Sequence, residues 1–176
     1  MEIMQFIGHH GTSSENTRLI EDDKFKPSSW GWNGKGVYFF ENNKELAKEW
    51  AEYNYPNQDV SVLERFIKVD KDKLLDISKP GTEHNRKIQE TRRMFLQKAD
   101  KEGRVLKEPD EVIDCKIINM VAHVGGFDVV RNFTYTYITE DRSLGKKRSF
   151  KKPIRSNVPN GIELCVRNLN CIFHEK

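Results

Sequence analysis

Gly31-Trp32-Asn33-Gly34-Lys35-Gly36-Val37-Tyr38-Phe39-Phe40 places three glycines directly ahead of a β-branched and aromatic run. The glycines supply backbone freedom and close approach, and the run that follows has the composition of a strand. Phe39 and Phe40 are expected in the core of a hairpin. Tyr38, next to the glycines, is placed to receive a flat ligand, since an aromatic face offers stacking worth roughly 1–3 kcal/mol per base in nucleic-acid sites. The glycine spacing is not that of a dinucleotide-binding turn, and there is no P-loop.

Upstream of this stretch, residues 5–10 read as a strand closing on Gly8-His9-His10-Gly11-Thr12, and residues 13–21 as a short helix capped by Ser13 or Ser14. A loop rich in turn formers covers 24–36. Downstream, Asn42 or Asn43 caps a helix with the apolar stripe Leu46, Ala47, Trp50 and Ala51. Residues 60–69 are apolar on both faces in places, which predicts a central strand. Pro80-Gly81 then breaks the chain. A charged helix over 82–102 carries Ile88, Phe95, Leu96 and Ala99 on one side. Pro109 opens another, with Val112, Ile113, Ile117, Met120, Val121 and Val124 at helical spacing, ended by Gly125-Gly126. Residues 127–138 are strand-like, and 161–172 hold a last strand or strand pair. Strands at both ends with helices between them predict an α+β fold around a mixed sheet, as a single domain over residues 1–176.

The 176-residue chain is 36% hydrophobic and 32% charged, with ten Phe and three Trp to build a core. That excludes a fully disordered chain, and with no long apolar run a membrane-spanning one is excluded as well. The N-terminal residues lack the pattern of a signal peptide, and Cys115, Cys165 and Cys171 form no CxxC pair, so a reduced, cytoplasmic protein without a disulfide framework is expected. Cys115 has no nucleophile motif around it and reads as a buried structural thiol. His9 and His10 find no further ligands at metal spacing, since His84, His123 and His174 are scattered; no metal site is expected.

The net charge of +3 is unevenly spread. Arg142, Lys146, Lys147, Arg148, Lys151, Lys152 and Arg155 fall in one stretch without an acid, leaving the rest of the chain mildly acidic. A basic loop on an acidic body is either a solvated loop or a surface that meets phosphate.

Glu163 interrupts the apolar run Ile162-Glu163-Leu164-Cys165-Val166. Alternation puts Ile162, Leu164 and Val166 on one face of a strand and Glu163, Cys165 and Arg167 on the other. A carboxylate there is either solvated, paired with Arg167, or held for a purpose, because unpaired burial costs several kcal/mol.

A strand ending in His-Gly-Thr, the glycine loop leading to Tyr38, and a late strand carrying Glu163 together resemble the His–Tyr–Glu branch of the ADP-ribosyltransferase superfamily. That branch includes diphtheria toxin and the poly(ADP-ribose) polymerases, and the likeness is to its small bacterial toxin and phage-defence members. It covers residues 5–50, 110–131 and 160–173; nothing in 55–110 is matched. The sister branch, with Glu-x-Glu on the late strand, does not fit, because position 161 is Gly.

The resemblance implies a split mixed or antiparallel sheet with flanking helices, and NAD as substrate. It implies that His10 bonds the nicotinamide-side ribose, Gly11 presents its backbone to the carboxamide, and Thr12 meets the adenosine-side ribose or phosphate. Tyr38 stacks on nicotinamide, Gly36 and Lys35 border the NAD pocket, and Lys35 and Arg18 are candidates for the pyrophosphate. Glu163 grips the ribose 2′-hydroxyl beside the reacting carbon. Two adjacent histidines leave the register open; His10, directly before Gly11-Thr12, is the expected one, with His9 on the opposite face in support.

The expected activity is a mono-ADP-ribosyltransferase acting on nucleic acid, RNA before DNA, with Lys146, Lys147, Arg148, Lys151 and Lys152 on phosphates and Tyr135 and Tyr137 offering rings. A toxin of this kind implies a neutralising antitoxin protein. The alternatives are transfer to a protein side chain, NAD hydrolysis, and a non-catalytic module that binds NAD or ADP-ribose.

Overall fold

The β-branched and aromatic residues of 60–70 form β3 (Val60–Asp70), which pairs antiparallel with β1 (Ile3–Ser13) along its whole length, from Ile3–Asp70 to Ser13–Val60. On its other side β1 meets β2 (Val37–Glu41) only at Gly8–Glu41 and His9–Phe40. Beyond those two pairs the strands part, and β2 completes its hydrogen bonds with β6 (Gly161–Val166), from Val37–Val166 to Phe40–Glu163. A computed structural model of the chain describes residues 2–23, 25–137 and 156–174. Among them it shows an α+β fold with four helices and one mixed seven-stranded sheet, ordered β4-β5-β6-β2-β1-β3-β7.

β4 (Leu74–Asp76) and β5 (Val129–Thr134) are the parallel pair. Parallel neighbours need a long crossover, and α3 (Glu83–Lys101) and α4 (Asp110–Val124) supply it. α1 (Ser14–Asp23) follows β1 directly, with the Ser13 hydroxyl accepting from the Asn16 amide at 3.2 Å. α2 (Lys44–Asn54) is capped by Asn43, whose side-chain oxygen accepts from the Leu46 amide at 3.0 Å. β7 (Ile172–Phe173) closes the far edge beside Phe66 and Ile67.

Alternation along the strands sorts the core onto two sides. Val37, Phe39, Leu63, Ile67, Val129, Leu164 and Val166 pack on one, joined by Phe25. On the other, α2 covers β1 and β2 through Leu46 and Ala47 against Phe40. α4 covers β4, β5 and β6 through Ile118, Val121 and Ala122 against Leu75, Val130 and Cys165.

Several sequence expectations change. β1 runs through Gly11 and Thr12 to Ser13 rather than closing at His10, because β3 offers it partners that far. β3 is almost an edge strand, paired on its outer side only near Phe66 and Ile67. β5 ends at Thr134, short of 138. The stripe of α4 is rotated: Met120 and Val124 are exposed, and Cys115, Ile118 and Ala122 take their place against the sheet. The basic residues Lys146, Lys147, Arg148, Lys151 and Lys152, with Arg142 and Arg155, lie outside the described residues.

At Gly11 α2 lies tight against the sheet. A Cβ there would overlap the Ala47 carbonyl and stand 3.1 Å from Ala51 Cβ. Backbone cannot yield as a side-chain tip does, so Gly11→Ala is expected to destabilise the fold by about 1–3 kcal/mol or more. Thermal unfolding checks this; an unchanged Tm would show that α2 is free to shift.

Candidate functional site

Where β1 and β2 part, a cavity of about 360 Å³ opens between α2 and the segment after β5. Its walls include His10 and Gly11 from β1, Gly36, Val37, Tyr38 and Phe40 from the glycine loop and β2, and Glu163 from β6. Trp30, Trp32, Trp50, Tyr135 and Tyr137 supply aromatic surface around it, and Lys26 a cation. Three residues singled out in separate parts of the sequence, His10, Tyr38 and Glu163, therefore share one cavity.

The parting of the strands explains the position of His10. The Tyr38 carbonyl has no β1 amide to accept from, and His10 Nδ1 takes that place at 2.7 Å. A carbonyl only accepts, so Nδ1 carries the hydrogen and Nε2 of the neutral ring is left as an acceptor. Burial keeps the His10 pKa below the ordinary imidazole value; the bond to Tyr38 opposes this and the charge of Arg65 reinforces it. The rings of Phe25 and Phe39 pack against the imidazole at centroid distances of 5.2 and 5.6 Å. His9 points elsewhere and bonds Glu64 through Nε2 at 2.9 Å.

Tyr38 is fixed by the loop that precedes it. Its hydroxyl donates to the Gly34 carbonyl and accepts from the Asn33 amide at 3.1 Å. Gly34 adopts φ +93°, which favours glycine, and a Cβ at Gly31 would run into the Tyr38 hydroxyl. The loop closes on itself through the reciprocal Ser28–Gly36 backbone bonds at 2.9 and 3.1 Å. Burial drives the Tyr38 pKa well above the usual phenol range, so the hydroxyl stays protonated. Neighbouring Cys165 is pushed up to about 12 by the same cause and is an inert thiol.

Glu163 is 5% exposed, yet it does not pair with Arg167, which turns to Asn119 at 2.7 Å. Asn33 Nδ2 donates to one carboxylate oxygen at 3.1 Å and the Thr136 hydroxyl to the other at 3.3 Å. Asn132 Nδ2 in turn donates to Asn33 Oδ1 at 2.9 Å. Thr136 is held by a reciprocal pair with Asn160, at 2.8 and 2.7 Å. Burial raises the Glu163 pKa to about 7, against the pull of Thr134, Thr136 and Asn33. A carboxylate in this state is part-ionised near neutrality, the condition in which a group can stabilise developing positive charge or move a proton.

Thr12 and Lys35 stand apart from this cavity. The Thr12 hydroxyl is buried and accepts from Asn16 at 3.3 Å, while Lys35 is exposed and uses its backbone amide to bond Asn119 at 2.8 Å. Arg18 is on the exposed surface of α1. Thr136, Trp30, Trp50 and Lys26, none of them a candidate site residue from the sequence, also line the cavity, and Asn33 bonds Glu163 from behind it. Among them Asn33 carried a signal, as the one amide between the glycines that wrap Tyr38. Cys115, Cys165 and Cys171 are buried and free.

Comparison of the chain with family models, with curated proteins and with solved structures finds no match. Among the described residues there is no cluster of three or more His, Cys, Asp or Glu placed to hold a metal ion, and no helix long and apolar enough to cross a membrane.

The buried carboxyl has a consequence for stability. Its folded pKa, about 7, lies above the ordinary value of 4.5. The stabilisation from the neutral form is therefore fully present below about 4.5 and is lost as pH rises through about 7. Ionising it in place costs on the order of 3 kcal/mol. Glu163→Gln removes that ionisation, so the variant is expected to be more stable than the parent at pH 8 and to lose the advantage by pH 5. Urea unfolding at the two pH values measures this, and equal differences at both would contradict it.

Proposed function

We propose that this protein is an NAD-dependent mono-ADP-ribosyltransferase with an ADP-ribosyltransferase-like split sheet. The observation that carries the reading is the convergence of His10, Tyr38 and Glu163 on one cavity at the parting of β1 and β2. The residues present suit NAD as substrate. Tyr38 offers an aromatic face for a flat pyridine ring, and its hydroxyl is already engaged by Gly34 and Asn33, so the ring is held still. His10 Nε2 accepts from a ribose hydroxyl. Glu163 supplies the negative charge.

In the reaction the bond between the ribose C1′ and the nicotinamide nitrogen breaks. The electron pair goes to the pyridinium, which leaves as a neutral ring and needs no acid. Positive charge accumulates on the sugar, as in glycoside hydrolysis, and the fixed carboxylate of Glu163 beside it lowers the barrier. An acceptor lone pair then forms the new bond to C1′, and the acceptor's proton passes to Glu163 or to water.

RNA is the acceptor we favour. Tyr135 and Tyr137 line the cavity, and a few residues further along the sequence comes the basic stretch 142–155, so rings at the cavity and a run of cations are neighbours in the chain. A protein acceptor is the second reading. A neighbouring cavity of about 480 Å³, sharing Trp32 and Tyr135, includes Asp110, Glu111 and Asp114 against Arg92, a balance that suits a cationic side chain. An enzyme of this kind consumes the NAD of the cell that makes it, which fits a cytoplasmic toxin or phage-defence protein restrained by an antitoxin partner.

Incubation with radiolabelled NAD and separate RNA, DNA and protein pools tests this. Label is expected in RNA, with Glu163→Gln lowering it by about 10²–10³-fold. Activity rises with pH through about 7, because the working form of Glu163 is ionised. Replacing Lys146, Lys147, Lys151 and Lys152 with Gln is expected to weaken RNA labelling and flatten its salt dependence. Label in protein alone overturns the RNA assignment; free ADP-ribose without labelled acceptor points to hydrolysis; no turnover of NAD overturns the enzyme.

A further inference from the structure

We propose that Asn33 is the positioning residue of the site: with its amide oriented by Asn132, it fixes where the Glu163 carboxylate points. This rests on the function proposed above and names a part of its machinery outside the cavity.

Asn33 is fully buried and is not part of the cavity wall, so it meets nothing bound there. Ionised, the Glu163 carboxylate can only accept, and in that form Asn33 Nδ2 faces it, at 3.1 Å. That turns Oδ1 toward Asn132 Nδ2, which donates at 2.9 Å. Three side chains from the loop before β2, from β5 and from β6 form one relay, in which each amide donates an N–H to the next group. The other neighbours of the carboxylate are hydroxyls, which rotate. Thr136 donates at 3.3 Å, and Thr134 faces it without a well-formed hydrogen bond. Asn33 is therefore the rigid donor to Glu163 among the described residues.

Anchoring the loop does not require this side chain. The Ser28–Gly36 bridge, the Gly34 amide on the Gly31 carbonyl at 3.0 Å, the Tyr38 hydroxyl on Gly34 and the Lys35 amide on Asn119 hold it without the Asn33 amide group. The Asn33 backbone N–H also donates to the Tyr38 hydroxyl. A single residue thus ties the aromatic platform, by its main chain, to the carboxylate, by its side chain.

Among the described residues, the titratable groups near Glu163 are Tyr38 from β2 and Cys165 on its own strand, both neutral at pH 7, with His10 from β1, Lys26, Tyr135 and Tyr137 on the same cavity. None replaces the donor that Asn33 supplies. Burial opposes the ionised carboxylate and Asn33 favours it, so removing the amide raises the pH at which Glu163 ionises.

The test compares the parent with Asn33→Leu, which keeps the branching but is larger and lacks the amide, and Asn132→Ala, at a half-buried position that leaves Asn33 in place without its orienting donor. Nicotinamide release from NAD is followed between pH 5 and 9. In parallel, the side-chain carboxyl of Glu163 is titrated by NMR with ¹³C-labelled glutamate, assigned with Glu163→Gln. Asn33→Leu is expected to lower kcat by about 10²-fold with little change in KM. It also moves the acid limb of the profile upward by about one pH unit, and Asn132→Ala moves it less in the same direction. Unchanged kcat and pH limb in both variants overturn the positioning role and leave the proposed function standing. A raised KM at constant kcat also overturns it, by making Asn33 a determinant of substrate fit. If the parent turns over no NAD, the proposed function fails and the titration decides alone: an upward shift in either variant upholds the role, and no shift in a folded variant overturns it.

Discussion

A carboxyl group of 5% exposure, on a strand paired on both sides, constrains the structure around it. Glu163 is largely shut off from solvent, and among the described residues no cation is paired with it, so hydrogen-bond donors come from elsewhere in the chain. They arrive from the loop before β2, as Asn33, and from the segment after β5, as Thr136. Each is held by a further partner, Asn132 and Asn160. The glycine loop, whose tight path around Tyr38 looks local, is at the same time the arm that delivers Asn33 to a residue far along the chain.

The sheet makes room for this arrangement by failing to zip. Full pairing between β1 and β2 would bring the two strands together where the cavity now lies. Two residue pairs hold them, and the imidazole of His10 spans the gap to the Tyr38 carbonyl. β2 keeps its order because β6 pairs with it over the same residues, and β1 keeps its own because β3 does. The opening is therefore bordered on both sides by strands paired elsewhere, which suits the substrate site proposed above.

Much of this was legible in the chain where local chemistry speaks. The glycine–aromatic stretch became a loop and strand with Phe39 and Phe40 buried. The stripe Leu46, Ala47 and Ala51 became the buried face of α2, and alternation through 162–166 sent Leu164 and Cys165 to opposite cores. What escaped is non-local. β4 is three residues long and exists because β5 accepts it as a parallel neighbour. The burial of α4 is set by which side faces the sheet, which left Met120 and Val124 outside. Asn33, Asn132 and Thr136 are uncharged and scattered along the chain; only folding brings them to one carboxylate, Asn33 and Thr136 directly and Asn132 through Asn33.

NAD bound in the cavity with its pyridine ring on Tyr38 is the central claim. The direct measurement is an NMR titration with NAD of the Glu163→Gln protein, in which the proposed cleavage is expected to be lost, observing tyrosine and histidine side chains. The account predicts ring-current shifts at Tyr38, perturbation of the His10 imidazole, and contacts between the nicotinamide protons and the Tyr38 ring. Saturating NAD that leaves both side chains unmoved, or perturbs only residues away from the parting of β1 and β2, would contradict it.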